Sequence, residues 1–193
     1  MNFTDFSTTE WAVVGGVLAI LVLGLVALLV RRNRRTEKLQ TKFGDAEYAR
    51  ALQAGGDRKQ AEAGLEERTQ RVEGLNVQAL SASDRARFEE SWHRVQERFV
   101  DGPAGAVADA DQLLGDVMSR RGYPPSNFEQ RAADVSVVYP LVLENYRTAH
   151  EIALRQMRGQ ASTEDLRQAM IHYRALFVEL VGDPVLSVVK PAA

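Results

Sequence analysis

The longest apolar stretch of the chain covers residues 11–30, where twenty successive positions carry no charged side chain and no Pro. A helix of this length measures about 30 Å, which matches the hydrocarbon core of a bilayer. The pattern predicts a single transmembrane helix, with residues 1–10 as a short segment before it. A cleaved signal peptide is the alternative, but it needs basic residues ahead of the run, where Asp5 and Glu10 stand instead.

The charges on the two sides of this run predict its orientation. Arg31, Arg32, Arg34 and Arg35 follow it within five positions, whereas no Lys or Arg precedes it. Because basic residues beside a span stay in the cytoplasm, residues 1–10 should lie outside and residues 31–193 in the cytoplasm. Trp11 stands where an aromatic residue of the outer interface belongs. The lipid bilayer is therefore the first predicted partner.

Small residues within the run permit self-association. Gly16 and Gly24 share a stripe with Ala12, and Gly15 with Ala19 forms a small-x-x-x-small pair. Such a spacing lets two helices approach closely in a membrane. Gly also occurs in single spans that do not associate, which leaves both interpretations open.

Residues 31–80 carry many charges and only weak helical amphipathicity. Gly44 interrupts the pattern, and Gly55 with Gly56 breaks it. Between residues 61 and 75, apolar positions recur at spacings of four and three, but Arg68 interrupts this short seam and two heptads are few for a coiled coil. We predict a basic juxtamembrane segment followed by a solvated helical stalk.

Helical periodicity becomes strong after residue 80, and it predicts a bundle over residues 81–181. Ser81 with Asp84 resembles a capping box at the start of the first helix. The apolar face of that helix consists of Phe88, Trp92, Val95 and Phe99. A second helix is predicted over residues 104–121, where Gly122 ends it.

The second half of the bundle begins with a short helix. Ser126 with Glu129 forms a capping box that opens a helix over residues 128–134. Residues 135–139, VSVVY, have β-favouring side chains, but the stretch is short and we predict a connector. Pro140 suits the first turn of the next long helix.

The last predicted helix has Phe177 at the centre of its apolar stripe and stops at Gly182. Residues 182–193 are predicted to form a loose tail. Connections of a few residues favour antiparallel neighbours. The predicted fold class is therefore all-α, with a single N-terminal transmembrane helix, a helical stalk and a small antiparallel helical bundle.

Composition narrows the classes of function. Beyond residue 35, 20 Lys and Arg stand against 24 Asp and Glu, which gives no basic field for nucleic acid. The chain has no Cys, no phosphate-binding Gly-rich loop and no H-E-x-x-H or G-x-S-x-G motif. We predict no metal, no cofactor and no catalytic residue. The excess of Arg over Lys, with abundant Ala and Val, is typical of GC-rich bacteria. Together with the apolar run, it makes a bacterial inner membrane the predicted location.

Residues 120–131, where the second helix of the bundle ends and the third begins, form the candidate contact site. It combines two Pro with two aromatic and three Arg side chains, and Tyr and Arg dominate interface hot spots. The candidate partner-binding residues are Arg120, Arg121, Tyr123, Phe128 and Arg131. The alternative is a helix–helix corner in which Tyr123 and Phe128 close the end of the core.

A second polar set lies beside core positions of the last two helices. It consists of Tyr146, His150, His172 and Tyr173. Hydrogen bonding between two paired helices is one interpretation, and a pocket open to solvent is the other.

Six phrases of the chain resemble a family of uncharacterised bacterial proteins, small, membrane-anchored and helical, often labelled hypothetical or secreted. They are residues 43–48 (FGDAEY), 56–62 (GDRKQAE), 95–101 (VQERFVD), 121–124 (RGYP), 128–134 (FEQRAAD) and 164–170 (EDLRQAM). The resemblance covers most of residues 36–180. It implies a repeated design of anchor, stalk and helical domain, and it implies no activity or catalytic residue.

Two functions fit these patterns. The first is a non-enzymatic, membrane-tethered helical module or scaffold that binds a protein partner or self-associates. The alternative is an enzyme or small-ligand binder with a site between the last two helices.

Overall fold

A computed structural model describes the backbone of residues 8–182, with the side chains of residues 16, 18 and 20–182. The described residues form seven α-helices and no strand, which confirms the all-α class. The helices are α1 (Thr8–Gly55), α2 (Arg58–Glu73), α3 (Ala82–Asp101), α4 (Pro103–Arg120), α5 (Phe128–Val138), α6 (Pro140–Met157) and α7 (Thr163–Gly182). Residues 183–193 of the predicted tail lie outside the described residues, as do residues 1–7 of the predicted N-terminal segment.

The chain divides into two units, residues 1–42 and residues 43–193. Helix α1 runs through both, but Gly44 within it has φ 78° and ψ 159°, which is not helical. Only Gly adopts such a backbone without strain. The predicted interruption at Gly44 is therefore present in the structure.

In the first unit, the large apolar side chains described between residues 18 and 30 are all about half exposed or more. Among the residues whose side chains are described, no helix combines the length and the apolar composition needed to cross a membrane. Residues 11–15, 17 and 19 of the predicted span lie outside those side chains, and Trp11 is one of them.

The second unit is a helical bundle, as predicted. Helix α4 packs against α3 and α7, and α7 packs against α6. Pro103 and Pro140 each start a helix directly after a break, because their fixed φ suits the first turn. Single residues, Gly102 and Tyr139, therefore separate consecutive helices.

Helix starts are set by local side-chain caps. The Ser81 Oγ accepts a hydrogen bond from the Asp84 N–H at 3.0 Å, as predicted. The cap of α5 differs by one residue from the prediction, because the Asn127 Oδ1 accepts from the Gln130 N–H at 3.0 Å. Ser126 is not the cap, and both side chains belong to the residue types that favour this position.

The predicted connector over residues 135–139 is wrong, because α5 continues to Val138. Val135 and Val137 are buried, and the Ser136 Oγ donates to the Ala133 carbonyl at 2.6 Å. Burial against the bundle outweighs the weak β preference of these side chains.

Residues 43–80 differ from the predicted solvated stalk, since they belong to the compact unit. The Glu47 carboxylate is buried and pairs with Arg68 at 2.6 Å and with Arg147 of α6 at 3.0 Å. Arg71 of α2 pairs with Asp134 of α5. Arg68, which interrupts the apolar seam in the sequence, thus binds a buried carboxylate.

Candidate functional site

The predicted contact segment separates into an exposed and a buried arginine. Arg120 is exposed, and its Nε donates to the Oδ2 of the largely buried Asp84 at 2.8 Å. Arg121 is only 1% exposed, and its Nη1 donates to the Tyr139 hydroxyl at 2.8 Å and the Leu180 carbonyl at 2.6 Å. The predicted partner-binding residue Arg121 is therefore buried, and it joins the end of α4 to the α5–α6 junction and to α7.

The backbone around Arg121 is equally enclosed. The Gln78 N–H donates to the Arg121 carbonyl at 2.8 Å. Gly122 has φ 102°, and a Cβ there would lie 2.5 Å from the Asn76 carbonyl oxygen. Tyr123 is buried in the core. The segment packs as a helix–helix corner, which is the alternative interpretation of its sequence.

Arg131 and Phe128 also contact groups inside the bundle. The Arg131 Nε donates to the Tyr146 hydroxyl at 2.8 Å, and its Nη2 donates to the Asp111 Oδ2 at 2.7 Å. The Phe128 ring stacks on His150 with centroids 3.5 Å apart. These contacts tie α5 to α4 and α6.

The second polar set is used mainly for packing. Tyr146 and Tyr173 are fully buried, and burial first and the Asp111 carboxylate second raise the pKa of both phenols. Both hydroxyls therefore stay protonated at neutral pH. Burial lowers the pKa of His150, which lies against Phe128, whereas the His172 Nδ1 lies 2.9 Å from the Asn145 Oδ1.

A surface groove follows the line where α3 and α7 meet. Its floor is the stack of Trp92 on Phe177, with ring centroids 4.7 Å apart and planes 21° from parallel. Two adjoining cavities of about 240 and 200 Å³ share Trp92, Gln96 and Arg174. Because the cavities are contiguous, they form one groove along α7, which we call the α3–α7 groove.

The rim of the α3–α7 groove on α7 is apolar and exposed. Ile171 is 48% exposed and lines one cavity, and Val178 is 55% exposed and lines the other. These residues are seven positions apart, which is two helical turns, so both project from one face of the helix. The result is an apolar ridge on α7 beside an apolar trough.

Arg174 stands on this ridge between Ile171 and Val178. It lines both cavities, is exposed, and has no ion pair among the described residues. Arg167, two helical turns earlier, instead binds Glu164 with its Nε and Nη2 at 2.8 and 2.7 Å. The difference has a local cause, since no carboxylate occupies the positions three or four residues from Arg174.

Sequence reasoning missed the α3–α7 groove. It assigned the inward positions of α3 and α7 correctly but left the outward apolar positions of α7 without comment. The available signal was the seven-residue spacing of Ile171 and Val178 with a single cation between them. The trough itself depends on the distance between α3 and α7, which cannot be predicted from local sequence patterns.

The described residues contain no group of three His, Asp or Glu side chains placed to hold a metal ion. No family model, no curated protein and no solved structure matches this chain. Function is therefore inferred from the geometry of the bundle.

Proposed function

We propose that this chain is a membrane-tethered, non-catalytic helical module whose α3–α7 groove docks a protein helix. The observation that carries the proposal is the groove itself, an apolar trough floored by Trp92 and Phe177 and edged by exposed Ile171 and Val178. Contiguous exposed apolar surface beside polar residues is typical of interaction sites. Central aromatic side chains are the anchors that most often dominate such interfaces.

The open rim of the groove favours side chains of a partner over a small molecule. Ile171 and Val178 at its edge are about half exposed, whereas small-molecule sites are concave and enclose most of the ligand's surface. Knobs from another helix fit such a row of shallow cavities. The buried tyrosines Tyr146 and Tyr173 do not favour the alternative of a site between α6 and α7, because their hydroxyls lie inside the core.

The proposed tether is residues 11–30, oriented with the compact unit in the cytoplasm of a bacterium. Its support is the uncharged run, the arginines that follow it and the exposure of large apolar side chains from Leu18 to Val30. A helix that is apolar on all sides and has no covering protein is stable in lipid. The basic cluster gains further from anionic headgroups, about 1 kcal/mol for each charge near the surface.

Fractionation tests the tether. The full-length protein should stay in the membrane pellet after carbonate extraction, and protease added outside spheroplasts should leave residues 43–182 uncut. A mature protein whose N-terminus lies after residue 30 would contradict the anchor. Cleavage of the bundle from outside would contradict the orientation.

Photo-cross-linking tests docking in the groove. Because the chain has no Cys, a maleimide labels it only at an introduced Cys. In native membranes, the full chain with Val178→Cys is labelled with a maleimide–benzophenone, and Val100→Cys serves as the control because Val100 is 81% exposed and does not line the described cavities. The proposal expects a discrete adduct from Val178→Cys alone. No adduct, or the same adducts from both variants, would contradict docking in the groove.

A further inference from the structure

We propose that the occupant of the α3–α7 groove is a second copy of this chain, related to the first by a two-fold axis. This inference rests on the proposed docking function and names its partner. The apolar ridge of α7 in each copy would lie in the groove of the other. In such an isologous interface, one patch must be complementary to itself.

The first requirement is a ridge beside a groove on the same face. Ile171 and Val178 form the ridge, and the trough over Trp92 and Phe177 lies directly next to it. A rotation of 180° about an axis between them places the ridge of each copy over the trough of the other. Helices pack by this insertion of ridges into grooves.

The second requirement concerns the position of charges along the groove. One end is lined by Glu89 of α3 with Val181 and Gly182 of α7, and the other end by Phe99 with Arg167. The two helices therefore run in opposite directions. Glu89 precedes Gln96, which lines both cavities, by two helical turns or about 10 Å.

Arg174 lies at about the level of Gln96, since α3 and α7 are antiparallel, Arg174 precedes Phe177 by three residues, and Gln96 follows its stacking partner Trp92 by four. The groove thus carries an anion at one level and a cation about 10 Å further along it. Neither Glu89 nor Arg174 has an ion pair among the described residues. Val178 and Trp92 lie between these two levels.

A two-fold axis through this midpoint satisfies both charges at once. It brings Glu89 of each copy beside Arg174 of the other, which forms two equivalent ion pairs at the edges of the interface. The apolar centre then consists of Val178 and Trp92 from both copies. An aromatic centre with charged edges is the usual arrangement of a protein interface.

Membrane anchoring would favour this pairing further. Two copies in one bilayer share a plane, which raises their effective concentration. The small residues Gly15 and Ala19 of the proposed span allow close approach of two anchors. An unrelated apolar helix need not carry charges that pair with Glu89 and Arg174. A second copy carries both, because its own Arg174 and Glu89 are the matching partners.

The test uses disulfide formation in membranes that contain the full-length protein with Val178→Cys. Because Val178 lies near the proposed axis, mild oxidation should link it to its counterpart and produce a species of twice the chain mass. Val100→Cys is the matched apolar control and should remain single. Each of the added changes Arg174→Glu and Glu89→Arg should lower the yield about tenfold, since like charges then meet twice.

Combining Arg174→Glu with Glu89→Arg should restore the yield to within about twofold of Val178→Cys alone, because the reversed charges again pair. Unchanged melting of each variant separates this effect from unfolding. Absence of the linked species, or a double variant as poor as the single ones, overturns the inference. If the linked species is absent but Val178→Cys forms a photo-adduct with a different protein, the docking function stands and only the second copy is wrong. If neither the linked species nor any photo-adduct forms, both proposals are wrong.

Discussion

The corner over residues 120–131 and the α3–α7 groove are the two regions with the strongest claim to bind a partner, and they differ in where their side chains point. The corner is rich in Arg and aromatic residues, yet Arg121 and Tyr123 are buried. The groove has an unremarkable sequence, yet Ile171 and Val178 are exposed along it. Composition alone favours the corner, whereas burial favours the groove.

The difference shows what a dense polar and aromatic segment usually signifies in a small bundle. A buried polar group must find a partner, so segments that connect several helices through hydrogen bonds become rich in Arg and Tyr. Arg121 and Arg131 both donate to tyrosine hydroxyls in this way. A docking surface has the opposite signature, because its apolar side chains lack a partner within the chain.

The largest expected loss of stability comes from a change in the corner. Arg121→Glu places a carboxylate beside the Leu180 carbonyl in the interior and removes the hydrogen bond to Tyr139. An uncompensated buried charge should cost about 5 kcal/mol or more, which is comparable to the whole stability of a domain. Urea denaturation followed by circular dichroism measures it.

Arg120→Gln is the matched neighbour for that variant. It removes only the ion pair of the half-exposed Arg120 with Asp84, so its denaturation midpoint should fall slightly, and far less than that of Arg121→Glu. If Arg121→Glu melts like Arg120→Gln, the corner is not the buried junction described above.

The next effect concerns the floor of the groove. Trp92→Ala removes the ring that stacks on Phe177 and should cost about 3–5 kcal/mol in unfolding free energy. Phe177→Ala should cost a similar amount, and the double variant should cost less than the sum because the two rings share one contact. Calorimetry of all three variants checks this coupling, and strict additivity would mean that the rings do not stack.

Much of the bundle could be predicted from local patterns. The Ser81 cap and the facing of Trp92 and Phe177 depend on spacings of three and four residues, and the structure has both. The contacts of residues 43–80 could not be predicted, because the Glu47–Arg68 pair joins residues 21 apart and nothing local marks it. The α3–α7 groove escaped prediction for the same reason, since its width depends on long-range packing.

A smaller effect is expected from the Arg120–Asp84 pair, whose contribution to stability should depend on pH. The Arg120 guanidinium, and then the Ser81 hydroxyl, hold the pKa of the Asp84 carboxyl below its usual value. A lowered pKa in the folded state contributes stability above the unfolded pKa of about 4, and this contribution is lost as the pH falls through the folded pKa.

Asp84→Asn should therefore melt below the parent at pH 7, and the gap should close as the pH falls below about 4. Asp165 and Glu164 also have lowered pKa values, but they occur in both proteins and cancel in the difference. Melting curves at several pH values measure it. A gap that persists unchanged at low pH would show that Asp84 acts through packing and not through its charge.

The smallest expected loss of stability comes from a change on the exposed face of α7, at the rim of the groove. Ile171→Ser changes a side chain that is half exposed, so the unfolding free energy should change by no more than about 0.5 kcal/mol. Leu176→Ser, on the buried face of the same helix, should cost several times more because a fully buried leucine loses its contacts and a hydroxyl enters the core. Chemical denaturation of both variants gives the comparison. A large loss from Ile171→Ser would mean that this apolar ridge supports the fold of the bundle itself, and the exposed ridge of α7 would then have no separate reason to be apolar.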